Sequence, residues 1–412
     1  MKRFYVFLKG NPMWVKVLLF SLTLFFLKIA DGIIAFWAPN QIQTALGNST
    51  WMGLVIGFQS VIGLIADIYL PGILRNTHSR TLLVWAIILS AATSVMFIGS
   101  VYFPFVLLFL VAMAIWGVYY ELLSFAQYQF MGSTVPPHMR SGAWGIFNTF
   151  GNLSYFLGPL IAAAVLLKGY AVTESVFLSF LVIGLFMVIS LRVVHDKPAG
   201  DVLERSHPLT ELNHWVRLAK VVWPVIIIRI LLGIIDATFW TTGAVWTEHL
   251  ARESFWGGLF LPFYQLPPIF MGLVIARWGV YKGKKILTER YLIIAGIFLM
   301  LFAVSPSLWW ILTMTLASSV AIGICYPLLD GVYSDLVSRM GHEGNDMIGL
   351  TSSTTNLAYI IGPPVAGIIA GQIGERMTFS YVGLLVILTA VGLLFVTPKK
   401  LRLPQTEIKT WE

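Results

Sequence analysis

The chain has 412 residues, of which 58% are hydrophobic and only 11% charged, roughly half the charged share of an average soluble protein. That balance excludes a water-soluble enzyme with one buried core, and equally a soluble domain hung on a single anchor. The one cysteine, Cys325, excludes an intramolecular disulfide and a cysteine-cluster metal site, and the net charge of +8 gains meaning only from where the basic residues fall.

Apolar runs bounded by charge, Pro or Gly predict twelve membrane spans, near 14–38, 51–74, 81–100, 103–130, 142–167, 174–192, 221–247, 255–277, 286–305, 308–333, 347–371 and 378–397. The first run is too long for the apolar part of a signal peptide and lacks a convincing small-residue cleavage site, so it reads as a retained helix. The ten-residue alternation of β-barrel strands is missing. With a cytoplasmic N-terminus, 22 of the 27 basic residues fall on the cytoplasmic side and three, Lys168, Arg252 and Arg376, on the other. Lys28 and Arg229 lie inside spans. This positive-inside bias places both termini in the cytoplasm, and makes the basic character topological rather than a sign of nucleic-acid binding.

The longest polar stretch, 193–220, sits almost at the midpoint and reads as a cytoplasmic linker. The expected organisation is an N-terminal six-helix bundle over 1–193, a linker over 194–220, a C-terminal bundle over 221–397 and a cytoplasmic tail over 398–412. The end of the linker, His214-Trp215-Val216-Arg217-Leu218-Ala219-Lys220, reads either as a short amphipathic surface helix or as a plain solvated connection.

The two halves repeat. Gly145/Gly349, Asn152/Asn356, Leu153/Leu357, Tyr155/Tyr359, Gly158/Gly362, Pro159/Pro363 and Ala162/Ala366 are all 204 residues apart, in spans five and eleven. Spans four and ten match at an offset of 206 through Gly117/Gly323, Tyr120/Tyr326, Leu122/Leu328 and Leu123/Leu329. Asp31 in span one and Asp236 in span seven are 205 apart, each followed by a Phe-Trp pair. Six plus six helices of one orientation imply halves related by an axis along the membrane normal, an architecture that holds a solute near the midplane and rocks about it.

At these residues the chain resembles the major facilitator superfamily. The family carries Gly-x-x-x-Asp-(Arg/Lys)-x-Gly between spans two and three; here Gly63-Leu64-Ile65-Ala66-Asp67 matches its start, Ile68 and Leu70 depart from it, and Arg75 follows late. In the second half Gly272 opens the same motif and Arg277 and Gly279 are kept, but the Asp is replaced. The resemblance implies a gating role for this loop. The family's antiporter signature, Gly-x8-Gly-x3-Gly-Pro-x2-Gly-Gly, is matched with small substitutions by Gly145, Ser154, Gly158, Pro159, Ala162 and Ala163, and again by Gly349, Ala358, Gly362, Pro363, Ala366 and Gly367. Small residues of this kind let helix backbones approach closely.

A charge at bilayer depth is costly unless paired or hydrated. Leaving aside charges near span ends, six ions fall within spans: Lys28 and Asp31 in span one, Glu121 in span four, Arg229 and Asp236 in span seven, and Asp330 in span ten. The resemblance implies that these four spans line the central cavity. Lys28 and Asp31, three apart on one helix face, are able to pair; Arg229 and Asp236 lie two turns apart. An acid near a cation in a partly desolvated site can titrate at a useful pH, which proton coupling requires; internal salt bridges holding helices together are the alternative. Gln59, Gln127, Asn148, Asn152, Tyr155, Gln265, Asn356 and Tyr359 are polar candidates for the cavity, although the matched Tyr and Asn pairs could equally hydrogen-bond across the two-fold axis. Trp37 and Trp240 read as interfacial anchors, and Pro262, Pro267 and Pro268 as kinks in span eight.

No metal-ligand spacing of His and no Gly-x4-Gly-Lys-(Ser/Thr) loop occurs, so neither a metal, a cofactor nor ATP hydrolysis is expected. The sequence points to a monomeric secondary active transporter, proton-coupled and exporting a small organic or amphipathic compound, located in the cytoplasmic membrane if the source is bacterial. Uptake or exchange of an organic anion or sugar, through Lys28 and Arg229, is one alternative. A receptor, scaffold or lipid-processing protein on a transporter-like fold is another.

Overall fold

A computed structural model describes residues 12–74, 77–136, 139–166, 168–191, 208–278, 280, 283–340 and 344–397, and the described chain is helical with short turns. In lipid every backbone N–H and C=O must find its partner within the chain, and a helix satisfies them all internally. The helices are α1 (Pro12–Leu46), α2 (Ser49–Leu74), α3 (Ser79–Tyr102), α4 (Val106–Thr134), α5 (Arg140–Leu166) and α6 (Tyr170–Ser190). They continue with α7 (Pro208–Trp240), α8 (Thr242–Glu253), α9 (Phe260–Trp278), α10 (Lys284–Met300), α11 (Leu308–Met340), α12 (Gly344–Ile373) and α13 (Glu375–Val396). Eleven stretches among the described residues are long and apolar enough to cross a membrane, α7 and α8 counting as one. With α9, the chain forms an all-α, multi-pass integral membrane protein.

Polar residues inside the spans are satisfied locally. Ser21, Thr23, Thr238 and Thr247 each donate to the carbonyl four residues earlier, which keeps a hydroxyl out of lipid without a second helix. Gly47 (φ 62°) lies in the left-handed region, which glycine adopts without strain, and so permits the short turn between α1 and α2. Asn48 then caps α2, its Oδ1 accepting from the N–H of Thr50 and Trp51 at 2.8 and 3.2 Å.

The chain divides into two compact units: residues 1–47 with 61–204, and residues 48–60 with 205–412. In the first, α1 packs along α5 and α6, and α3 along α4. Phe20, Phe130 and Phe147 stack in its core, with ring centroids 4.1 and 5.3 Å from Phe20. In the second, α7 packs on α12, α11 on α9 and α10, and α10 on α13. Its aromatic core gathers Phe239, Trp246, Phe260, Phe302 and Phe379.

Three local expectations change. Span one does not end near residue 38: α1 continues to Leu46 because Asn40 bonds back to the Phe36 carbonyl and Gln41 reaches Ser100 on α3. Trp37 is therefore fully buried against Phe97, not an interfacial anchor. Span seven breaks at Thr241 into α7 and α8, and α7 begins at Pro208, so the second half of the expected linker runs straight into it. Pro267 and Pro268 both lie inside α9.

Candidate functional site

Each unit carries one intramembrane aspartate held by neutral donors, fully buried at Asp31 and half-buried at Asp236. In the first, Asp31 on α1 is fully buried. Its Oδ1 accepts from Trp116 Nε1 at 2.9 Å, and its Oδ2 from the hydroxyls of Tyr120 at 2.9 Å and Tyr155 at 2.7 Å. In the second, Asp236 on α7 accepts at Oδ1 from the Tyr264 hydroxyl at 2.5 Å and at Oδ2 from Tyr359. Among the described residues neither aspartate forms an ion pair.

The small residues of the repeated signature make this geometry possible. A Cβ added at Gly158 would lie 2.8 Å from the Cα of Gly32, the residue after Asp31. A Cβ added at Gly362 would lie 2.6 Å from that of Ala237, the residue after Asp236, and 3.3 Å from the Cα of Ile234. No larger residue fits either crossing, so α5 rides directly on α1 and α12 on α7. Tyr155 and Tyr359 precede these glycines by three residues, nearly one turn, and the close crossing brings their hydroxyls to the acids. The matched tyrosines thus act within their own halves, each on its own aspartate.

The intramembrane cations are arranged differently from the expectation. Lys28 does not pair with Asp31, whose oxygens are taken by the indole and the two phenols. Its ammonium lies instead 6.0 Å from the Tyr155 ring centroid and close against Gly151. Arg229 does not pair with Asp236: Nη1 pairs with Asp330 at 3.2 Å and Nε donates to Thr355 Oγ1 at 3.0 Å. Tyr326, the counterpart of Tyr120, donates to the Leu232 carbonyl at 3.5 Å and stacks beside Arg229, so Asp236 has one donor fewer than Asp31.

The remaining candidates scatter. Glu121 on α4 is half-buried, with Oε1 facing Gly63 of α2, where an added Cβ would lie 3.4 Å away. Gln127 donates to the carbonyl of Leu123 in its own helix at 3.1 Å. Gln265 is buried, Gln59, Asn152 and Asn356 are half-buried, and Asn148 is exposed. In the loop motifs Asp67 is half-buried, Gly272 and Arg277 are exposed, and Arg75 and Gly279 lie outside the described residues. Pro159 is buried beside Gly158, and Pro363 faces Gly53 of the first half of α2.

Sequence reasoning missed several residues. Trp116 and Tyr264 hold the two aspartates, yet Trp116 has Ile322 as its counterpart and nothing in the repeat signals either. Glu174 on α6 is buried and bonded to Ser94 of α3. Lys285 and Glu289, near the start of span nine, form a buried ion pair at 2.7 Å. Among the described residues no group of three or more His, Cys, Asp or Glu is arranged to hold a metal ion.

The family model of the Major Facilitator Superfamily matches residues 20–344 and 292–411. No curated protein sequence matches the chain. Among solved structures, the human organic anion transporter MFSD10 (TETRAN) is similar at 17% identity and a TM-score of 0.65, over 93% of this chain and 100% of that one. A POT family transporter in complex with 5-aminolevulinic acid is similar at 13% identity and a TM-score of 0.71, covering 93% and 96%. The nucleoside transporter NupG is similar at 12% identity and a TM-score of 0.67, covering 91% and 98%. At these identities the likeness is one of fold.

Proposed function

Because the chain belongs to the major facilitator superfamily, we propose that it is a secondary active transporter working by alternating access, with both termini in the cytoplasm, and that it couples export of a small organic compound to proton entry. The observation that carries the coupling is the pair Asp31 and Asp236. They occupy equivalent places in the repeat, and each is held by uncharged hydroxyl or indole donors rather than by a cation. A carboxyl in such a setting can gain or lose one proton without breaking an ion pair. The hydroxyl partners can turn from donor to acceptor as it does so. A salt-bridged acid lacks this freedom.

The positive-inside distribution of basic residues supports the orientation, and the small-residue signature shared with antiporters supports export. The test is counterflow and uptake of labelled amphipathic compounds in proteoliposomes with an imposed pH gradient. Coupled transport predicts solute movement that follows the gradient in the parent and loses that dependence in Asp31→Asn or Asp236→Asn. Movement indifferent to both the gradient and the substitutions would remove proton coupling from the reading.

A further inference from the structure

The two halves of the repeat hold their intramembrane cations in opposite states. Arg229 is occupied on two sides, by Asp330 at 3.2 Å and by Thr355 at 3.0 Å. Lys28 corresponds in register to Gly233, one helical turn beyond Arg229. The shorter lysine starts one turn along, yet both cations arrive at the same rung of the neighbouring helix. A Cβ at Gly151 would lie 3.1 Å from Lys28 Nζ, and Gly151 is the counterpart, 204 residues earlier, of Thr355.

Around Lys28 both of the partners that Arg229 enjoys are missing. Ser124 stands at the register position of Asp330, and Gly151 at that of Thr355. Asp31 is engaged with Trp116, Tyr120 and Tyr155. Among the described residues no hydrogen bond or ion pair reaches the Lys28 ammonium, and the face of Tyr155 is its nearest aromatic neighbour at 6.0 Å. The side chain is only partly buried. A cation at this depth is costly without a counter-charge or hydration, and the second half meets that need with a carboxylate of its own.

We propose that Lys28 binds a carboxylate carried by the transported solute, in the place that Asp330 fills in the other half. The internal carboxylate on Arg229 is the template: the first copy of the repeat keeps the cation, lacks the acid, and leaves the position open to a ligand. This rests on the transporter reading above and names the solute class for it, an organic acid.

The test uses purified full-length protein and matched probes, benzoate against benzamide and succinate against succinamide, with inorganic phosphate as a third anion, read by thermal shift. The parent is expected to respond to the acids and not to the amides. Lys28→Gln should raise the half-maximal benzoate concentration at least about tenfold, equivalent to about 1.4 kcal/mol, and Lys28→Arg should recover most of it. Ser124→Asp keeps the lysine but installs the acid of the second half, and should raise that concentration similarly by occupying the ammonium. A parent that treats acids and amides alike, or that responds to phosphate alone, overturns the proposal. So does Lys28→Gln binding benzoate as the parent does. If Lys28→Gln fails to fold, Ser124→Asp binding benzoate unchanged overturns it instead. Acid-selective binding without any solute flux in proteoliposomes would defeat the transporter reading and leave Lys28 standing as an anion site.

Discussion

Tyr155 donates its hydroxyl to Asp31 Oδ2 at 2.7 Å, and Tyr359, 204 residues later, donates to Asp236 Oδ2. The two bonds are copies, but their settings are not. Among the described residues, Asp31 keeps Trp116 and Tyr120 if Tyr155 is lost, whereas Asp236 keeps Tyr264 alone if Tyr359 is lost.

That asymmetry predicts unequal effects of the same substitution. A hydrogen bond to a charged group contributes about 1.5–3 kcal/mol, and one between neutral groups about 0.5–1.5 kcal/mol. Tyr359→Phe should therefore disturb the thermal midpoint and the pH dependence of transport more than Tyr155→Phe. Equal effects of the two variants would mean that the extra donors on Asp31 contribute nothing.

The glycine crossings give a second prediction. Gly158→Ala drives a Cβ to 2.8 Å from Gly32 Cα, a backbone atom that cannot yield without moving α1. Overpacking of this kind costs about 1–3 kcal/mol. Gly362→Ala meets Ala237 in the same way. Gly145→Ala is the control: nothing lies within 4 Å of its added Cβ, and removing a helix-interior glycine stabilises by roughly 0.5–1 kcal/mol. The measurement is the thermal midpoint of each variant, expected to fall for Gly158→Ala and Gly362→Ala and to hold or rise for Gly145→Ala.

These crossings also mark how far the sequence could be read. The repeat, the matched aspartates and the small-residue signature all lie in linear register, so the all-helical membrane fold and both acids were legible from spacing. The choice of hydrogen-bond partner was not. Tyr120 reaches Asp31 while its counterpart Tyr326 bonds to a backbone carbonyl, a difference that register between the halves does not encode. Hydropathy alone carries no such information. Lys28 and Asp31 share a helix face, which permits pairing but does not enforce it once three other donors compete. Trp37 looked interfacial only because the polar run Asn40-Gln41 resembled a span end. The nitrogens of those amides instead donate inside the bundle, to the Phe36 carbonyl and to Ser100.

A third prediction concerns the buried pair Lys285 and Glu289, whose side chains are 7% and 1% exposed. Lys285 also donates to Thr397, while Glu289 has no other partner among the described residues. Removing one member of a buried pair typically costs about 3–5 kcal/mol, because the other charge is left uncompensated. Lys285→Ala should be worse than Glu289→Ala, since the ammonium keeps Thr397 and the carboxylate keeps nothing. The double replacement Lys285→Met with Glu289→Leu should recover much of the loss. A double variant as unstable as the worse single one would show that the pair itself, and not the isolated charge, holds α10 in place.

Glu174 offers the complementary case, a buried acid with a single neutral partner. Ser94 on α3 bonds to Oε1, and Oε2 is buried without a partner among the described residues. Ser94→Ala strips the last hydrogen bond from the carboxyl, and a buried polar group left unsatisfied costs roughly 1–3 kcal/mol. Glu174→Gln presents both a donor and an acceptor of nearly the same shape, so the bond to Ser94 survives and the thermal midpoint should change little. Replacing both partners, Ser94→Ala with Glu174→Leu, leaves no polar atom to satisfy and should restore most of the stability lost in Ser94→Ala. The order expected in thermal unfolding is thus Ser94→Ala lowest, the double variant intermediate or higher, and Glu174→Gln near the parent. A Glu174→Gln variant that unfolds as readily as Ser94→Ala would mean that the carboxyl serves α6 through its charge and not through this hydrogen bond.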